Sequence, residues 1–209
     1  MTTLPGLTAA FLSALAMAAV AVEPHAPIEG PLPPGGRVIV LVVDGAGGTG
    51  PTRPPPACAD GGRLDAVAWR EALAVGTGLR KQRIRVEYVH AGPGCRARHT
   101  AYLVFGADRV HHDPDLAASC RADAETRQQR RSALAGRVTA RPPYPDTHLA
   151  LVVDVCNLRD LAEPGWPACA RHPGPGDMVV FEPGGGATPR VSGCVARGTL
   201  LEWSRRPEW

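Results

Sequence analysis

An apolar run at the extreme N-terminus, followed by six cysteines and no second apolar span, constrains this chain more than any other feature. Leu7 to Val22 is too short and too rich in alanine for a membrane helix, which needs about 20 strongly apolar residues. Ala19-Val20-Ala21 fits the small-x-small pattern of a leader cleavage site. Residues 1–21 therefore read as a signal peptide. Its first residues carry no Lys or Arg, which suggests a eukaryotic or viral secretory leader. The expectation is a secreted, extracellular protein that matures where thiols oxidise.

Cleavage after Ala21 leaves about 190 residues, enough for one domain with a sizeable core. Cys58, Cys95, Cys120, Cys156, Cys169 and Cys194 remain. An even count in an exported chain reads as disulfide staples whose pairing sequence leaves open. No CxxC occurs and no Cys stands at metal-ligand spacing from a His, so no zinc site is expected. His111-His112 are neighbours, and on a strand neighbours point to opposite faces, so they read as surface histidines rather than joint ligands.

Residues 22–36 are rich in Pro and Gly and form an extended arm, leaving residues 37–209 as a single β-rich domain. Arg37 to Asp44 (RVIVLVVD) and His148 to Asn157 (HLALVVDVCN) are continuous apolar runs, the mark of strands buried on both faces. Arg83 to Val89 and Thr100 to Phe105 alternate around Ala91-Gly92-Pro93-Gly94-Cys95 and predict an antiparallel strand, loop, strand unit. Asp177 to Glu182 and Val191 to Ala196 predict shorter strands, and Leu200, Leu201 and Trp203 a last one. Helices are predicted from Leu64 to Val75, with Leu64, Val67, Ala68 and Leu73 inward, and from Leu116 to Leu134, ending at Gly136. One or two helices are too few for a doubly wound sheet. The fold class expected is mainly β: a disulfide-stapled β-sandwich with one or two peripheral helices and long Pro/Gly-rich loops.

Gly45-Ala46-Gly47-Gly48-Thr49-Gly50 matches GxGxxG letter for letter after a buried strand. The dinucleotide mechanism needs a helix to open there, and Pro51, Pro54, Pro55 and Pro56 prevent one. No cofactor is expected. Ser192-Gly193 matches neither GxSxG nor GDSGG. The acidic pairs Asp154 with Asp160 and Asp44 with Asp60 cannot be set face to face without a fold. Net charge is +3, with acids and bases interspersed and no aromatic row beside a basic stripe, so nucleic-acid binding is unsupported. Arg127, Arg130 and Arg131 read as a solvated helix face. The chain holds one Lys and one Asn beside 24 Gly and 22 Pro, which points to a GC-rich genome. No catalytic residue is nominated.

Two stretches carry a family resemblance: GRVIVLVVDGAGGTGPTRPPPAC, a buried strand leading through a polar loop to Cys58, and VGTGLRKQRIRVEYVHAGPGC, leading to Cys95 and then TAYLVF. With Cys120, LALVVDVC and the late Cys194, their order resembles the secreted poxvirus immune-evasion proteins, chemokine-binding proteins and the inhibitor of granulocyte-macrophage colony-stimulating factor and interleukin-2. Parapoxviruses have GC-rich genomes. The resemblance implies a non-enzymatic β-sandwich that binds a host chemokine or cytokine and blocks receptor engagement. The loop from Gly45 to Cys58 carries Arg53 and no acid, which favours a ligand other than a basic chemokine. Trp69, Trp166, Trp203, Trp209 and Tyr88 are the candidate anchors, with core packing the competing role for most. GPGCRARHTAYLVFG is similar to a segment of a soluble betaherpesvirus envelope subunit, which implies an alternative role on a viral glycoprotein complex. A third reading is an exported bacterial enzyme, which clustering of His148, Asp154 or His172 with a serine would support.

Overall fold

A computed structural model describes residues 36–43, 64–184 and 188–207, together with 27, 28, 32, 62 and 186. The leader, most of the arm, the GAGGTG loop, Asp44, Asp60, Cys58 and Trp209 lie outside the described residues.

The two continuous apolar runs form the centre of the molecule. Val38–Val43 (β1) and His148–Asp154 (β4) pair in parallel, Val38 opposite Leu149 and Val43 opposite Asp154. Every residue of both strands is buried. Val86–Ala91 (β2) lies parallel on the other side of β4, and Val110–His112 (β3) lies parallel outside β2. Met178–Glu182 (β5) runs antiparallel to β1, and Arg190–Val195 (β6) antiparallel to β5. The result is one mixed sheet in the order β3-β2-β4-β1-β5-β6.

Strands that are apolar on both faces need cover on both sides. Ile39, Leu41 and Val43 point to one side, where they pack with Ala72, Val75 and Leu79 of α1 (Ala66–Lys81) and with Ala97, Ala101 and Val104 of α2 (Cys95–Phe105). Leu200 and Trp203 of α6 (Arg197–Arg205) complete that layer. Val38, Val40 and Val42 point to the other side. There they meet Leu134 and Val138 of α3 (Ala124–Thr139), Leu158 and Leu161 of α4 (Val155–Leu161) and Ala170 of α5 (Ala168–Arg171). This is a three-layer α/β domain, and the expected mainly-β sandwich is corrected. Among the described residues the sheet is single, and helices rather than a second sheet cover it.

Three local expectations change with it. Thr100–Phe105 is not a strand. It closes α2, because Ala97, Ala101 and Val104 at helical spacing all reach the core, and Gly106 with φ of 92° ends the helix. Leu200, Leu201 and Trp203 lie in α6 rather than in a last strand, with Leu200 and Trp203 one turn apart on its buried face. Lys81 Nζ donates to the C-terminal carbonyls of Ser204 and Arg206 at 2.9 and 2.7 Å. His148–Asn157 divides after Asp154, whose side chain caps α4 by accepting from Cys156 N.

The two predicted helices also shift. Asp65 caps α1 by accepting from the amides of Val67 and Ala68 at 2.9 and 2.8 Å, and the helix runs on to Lys81. Its buried face is Ala72, Val75 and Leu79, whereas Val67 and Leu73 are exposed. Leu116 belongs to a short 3-10 turn, and α3 begins only after Asp123, which caps it through the amide of Thr126. Gly136 lies inside α3 and does not stop it. Arg131 pairs with Glu163 at 2.6 Å, while Arg127 and Arg130 donate to carbonyls of the preceding loop.

Of the six cysteines, Cys120 bonds to Cys156 and Cys169 to Cys194, and Cys95 is disulfide-bonded too. The first bond ties the loop before α3 to the start of α4, and the second ties α5 to β6. Ile28 of the arm donates to Cys194 O at 2.9 Å, and Leu32 packs against the core. Among the described residues no helix is long and apolar enough to cross a membrane.

Helix α1 approaches its neighbours through glycine. A Cβ on Gly76 would stand 2.5 Å from Val104 O, and one on Gly78 would stand 2.6 Å from Leu200 O. Gly76→Val is expected to lower the unfolding free energy by about 2 kcal/mol or more in a urea titration, because backbone atoms must move apart. Gly136→Ala, with nothing within 4 Å, is expected to raise it by about 0.5 to 1 kcal/mol.

Candidate functional site

The carboxyl ends of β1 and β4 are the place where this sheet can hold a ligand. From β1 the chain goes to α1 on one face of the sheet, and from β4 it goes to α4 on the other. Connections that diverge from adjacent parallel strands leave a crevice between them, the usual ligand position in open α/β sheets. On the α1 side this crevice opens into a cavity of about 370 Å³ between β1, α1 and α2. Its walls are largely apolar, from Leu41, Val43, Ala72, Val75 and Val104.

Among the described residues four charged ones line the cavity: Asp65 at the start of α1, Glu71 within it, Arg96 of α2 and Arg197 of α6. Arg96, in the first turn of α2, lines it together with Thr100 one turn later. Glu71 of α1 pairs across the mouth with Arg197 of α6 at 3.2 Å. Arg197 N donates to Asp177 at 2.9 Å, which ties this end of α6 to the turn before β5.

At the end of β4, Asp154 is buried, and its Oδ1 accepts from Cys156 N at 3.0 Å. The same oxygen lies 3.2 Å from Cys120 Sγ. Cys120, Asp154 and Cys156 thus gather in the manner of a metal site. Both sulfurs are spent in one disulfide, however, and an oxidised pair offers no thiolate, so the arrangement is not a metal centre. Beside it Asn157 Nδ2 donates to Ala117 O at 2.8 Å, while Asn157 Oδ1 and Ser119 Oγ are buried with no hydrogen-bond partner among the described residues. Such orphaned groups cost about 1 to 3 kcal/mol each and are rare away from places where a water or ligand completes them.

The residues singled out from sequence are dispersed. His148 and Asp154 stand at opposite ends of β4, and His172 is exposed after α5, so no Ser-His-Asp arrangement forms from them. Asp160 lies within α4, beyond the cap made by Asp154. Ser192 sits in β6. Trp203 is core, and Trp166 is buried edge-on against Phe181 at 5.3 Å. Trp69 and Tyr88 are exposed, and Trp69 packs edge-on against His99 at 6.3 Å. Sequence reasoning missed Arg96 and Thr100, because TAYLVF read as a strand, and it named Asp154 only as a partner for Asp160 or for a serine. The signal that could have found Arg96 is Gly92-Pro93-Gly94 followed by apolar positions at helical spacing, the pattern of a strand turning into a helix.

No family model matches the chain, and no curated protein matches it either. Solved structures do. The protein histidine phosphatase SixA complexed with tungstate superposes with a TM-score of 0.52 at 14% identity, covering 78% of this chain and 99% of that one. Phosphoserine phosphatase from Entamoeba histolytica, in complex with 3-phosphoglyceric acid, gives 0.55 at 14% identity, covering 79% and 100%. At such identities the likeness establishes the fold.

It also overturns the family resemblance. The structural neighbours are phosphatases, not poxvirus chemokine-binding proteins, so the host chemokine or cytokine partner and the immune-evasion role fall with the β-sandwich that implied them. The alternative place on a viral glycoprotein complex loses its basis as well, since its fifteen-residue segment is the turn and helix α2. The expectation of a non-enzymatic binding module is corrected too, because the solved structures that superpose on this chain are phosphatases.

His148 gives the site's support a pH dependence. Its Nδ1 accepts from Arg37 N at 3.1 Å, so the neutral ring is the bonded form. Burial, with the Arg37 charge beside it, holds its pKa below the ordinary 6.5. The unfolded chain therefore takes up this proton first. The contribution to stability is complete above about pH 6.5 and is lost as pH falls from there through the lower folded value. His90 and His112, also lowered by burial, act with the same sign. The melting temperature is expected to drop between about pH 7 and pH 5. His148→Asn, whose amide oxygen can accept from Arg37 N, should flatten that slope.

Proposed function

We propose that this chain is an exported phosphatase-type hydrolase that acts on a small phosphorylated substrate in the crevice at the carboxyl ends of β1, β2 and β4. The observation that carries this reading is the placement of an arginine and a buried carboxylate at those strand ends, in the architecture of solved phosphatases. Arg96 presents a planar fork of donors suited to two phosphoryl oxygens, and its position in the first turn of α2 adds the positive end of that helix. Asp154, the buried carboxylate at the end of β4, would take a proton from an attacking water as its oxygen bonds to phosphorus and the ester oxygen leaves. The apolar walls of the cavity would exclude bulk water around Arg96 and strengthen its hold on a phosphoryl group. Action outside the cytoplasm is part of the proposal, and it rests on the leader-like residues 1–21 and the paired cysteines.

A second reading, phosphoryl binding without turnover, is favoured by one observation. Among the described residues that line the cavity there is no imidazole and no free thiol. Release of phosphate from para-nitrophenyl phosphate, phosphoserine and phosphohistidine, with tungstate titrated by calorimetry, separates the two. Hydrolysis that falls about a hundredfold in Arg96→Ala and in Asp154→Asn supports the enzyme. Tungstate binding that Arg96→Ala abolishes, with no hydrolysis of any ester, supports the binder. Absence of both hydrolysis and oxyanion binding at millimolar concentrations would overturn the site.

A further inference from the structure

We propose that His90 and His111, on the outer strands β2 and β3, form a two-histidine site for a transition-metal cation of the zinc or copper type, with Asp113 as the residue that positions His90. The pair arises from strand register. Strands β2 and β3 are parallel with His90 opposite His111, so both side chains leave the same face of the sheet, and their ring centroids are 5.9 Å apart. His112 goes to the other face, where its Nε2 is 2.8 Å from Tyr102 Oη, and takes no part.

Each ring is held in a way that suits a ligand. His90 Nδ1 lies 3.7 Å from Asp113 Oδ2, and Asp113 is itself fixed. Its Oδ2 accepts from Arg137 Nε at 2.8 Å, its Oδ1 accepts from Asp115 N at 3.1 Å, and its side chain is only 5% exposed. At that distance the Asp113 charge attracts the His90 ring without hydrogen-bonding to it, and so orients the imidazole. His111 is stacked on Tyr88 with centroids 6.2 Å apart, which limits its rotation. His90 is half-buried and His111 exposed, so an ion can reach both from solvent.

The surrounding charges allow a cation. Arg137 of α3 faces the pair but is ion-paired with Asp113, and Tyr88 is the neighbour on β2. Two imidazole nitrogens with water in the remaining positions suit Zn²⁺ or Cu²⁺ better than Ca²⁺ or Mg²⁺, which prefer oxygen.

The test is calorimetric titration of the purified chain with ZnCl₂, and with CuCl₂ followed by electron paramagnetic resonance. One bound equivalent is expected, with two-nitrogen hyperfine structure in the copper spectrum. His90→Ala and His111→Ala should each weaken binding at least about tenfold. His172→Ala, remote on the surface, should leave binding unchanged. Asp113→Asn should weaken binding and move its pH profile, an effect that loss of fold alone would not give if the circular dichroism of the variant is native. His111 is exposed, so its variant is expected to fold. A His90→Ala/His111→Ala protein that binds like the parent, or a parent that takes up neither ion at millimolar concentration, overturns the proposal.

Discussion

The parallel pairing of β1 with β4 is the constraint on which the rest of the molecule depends. β1 is apolar along its whole length and β4 from Leu149 to Val153, and both are buried throughout. An apolar side chain of this size contributes about 1.5 to 3 kcal/mol when fully buried, so leaving either face of the pair open would forfeit much of the core. One helical layer on each side follows, and so does a chain long enough to supply both. Two disulfides fasten the periphery of this arrangement: one joins a loop to α4 and the other α5 to β6.

The same pairing makes the crevice. Parallel neighbours end together at one edge of the sheet, and their continuations must leave that edge toward helices. Because α1 and α4 lie on opposite faces, the space between the ends of β1 and β4 is left to side chains such as Asp154 and to the start of α2. Asp154 serves two purposes there. It is the last residue of a strand and the cap of the next helix, so the demand for a capped helix places a buried carboxylate at the strand ends. The glycines of α1 act at the same level, since they let α2 and α6 approach closely enough to close one wall of the cavity.

Much of the fold was legible. The runs RVIVLVVD and HLALVVDVCN marked strands with two buried faces, and β5 and β6 lie close to where alternation placed them. Two-sided burial already argued for helices on both faces, since the sheets of a sandwich each expose one. The error lay in the supply of helices. Thr100–Phe105 alternates like a strand, yet Ala97, Ala101 and Val104 also repeat like a helix, and packing against α1 decides between them. Leu200 and Trp203 are open to the same ambiguity, which the pocket beside Gly78 resolves in favour of α6. With those segments read as strands, too few crossovers remained, and the wrong fold class and the wrong family resemblance followed together.

The sequence by itself determined the two central strands and a set of cysteines suited to oxidation. Each of these is a local matter, set by residue type and by which face a side chain takes. Tertiary structure decided that β1 and β4 are parallel neighbours, that Arg96 and Asp154 reach the same edge, and that His90 stands opposite His111. Those relations join residues that are far apart along the chain. The free energy that selects them comes from burying both faces of one sheet at once, and no short stretch of the sequence contains that term.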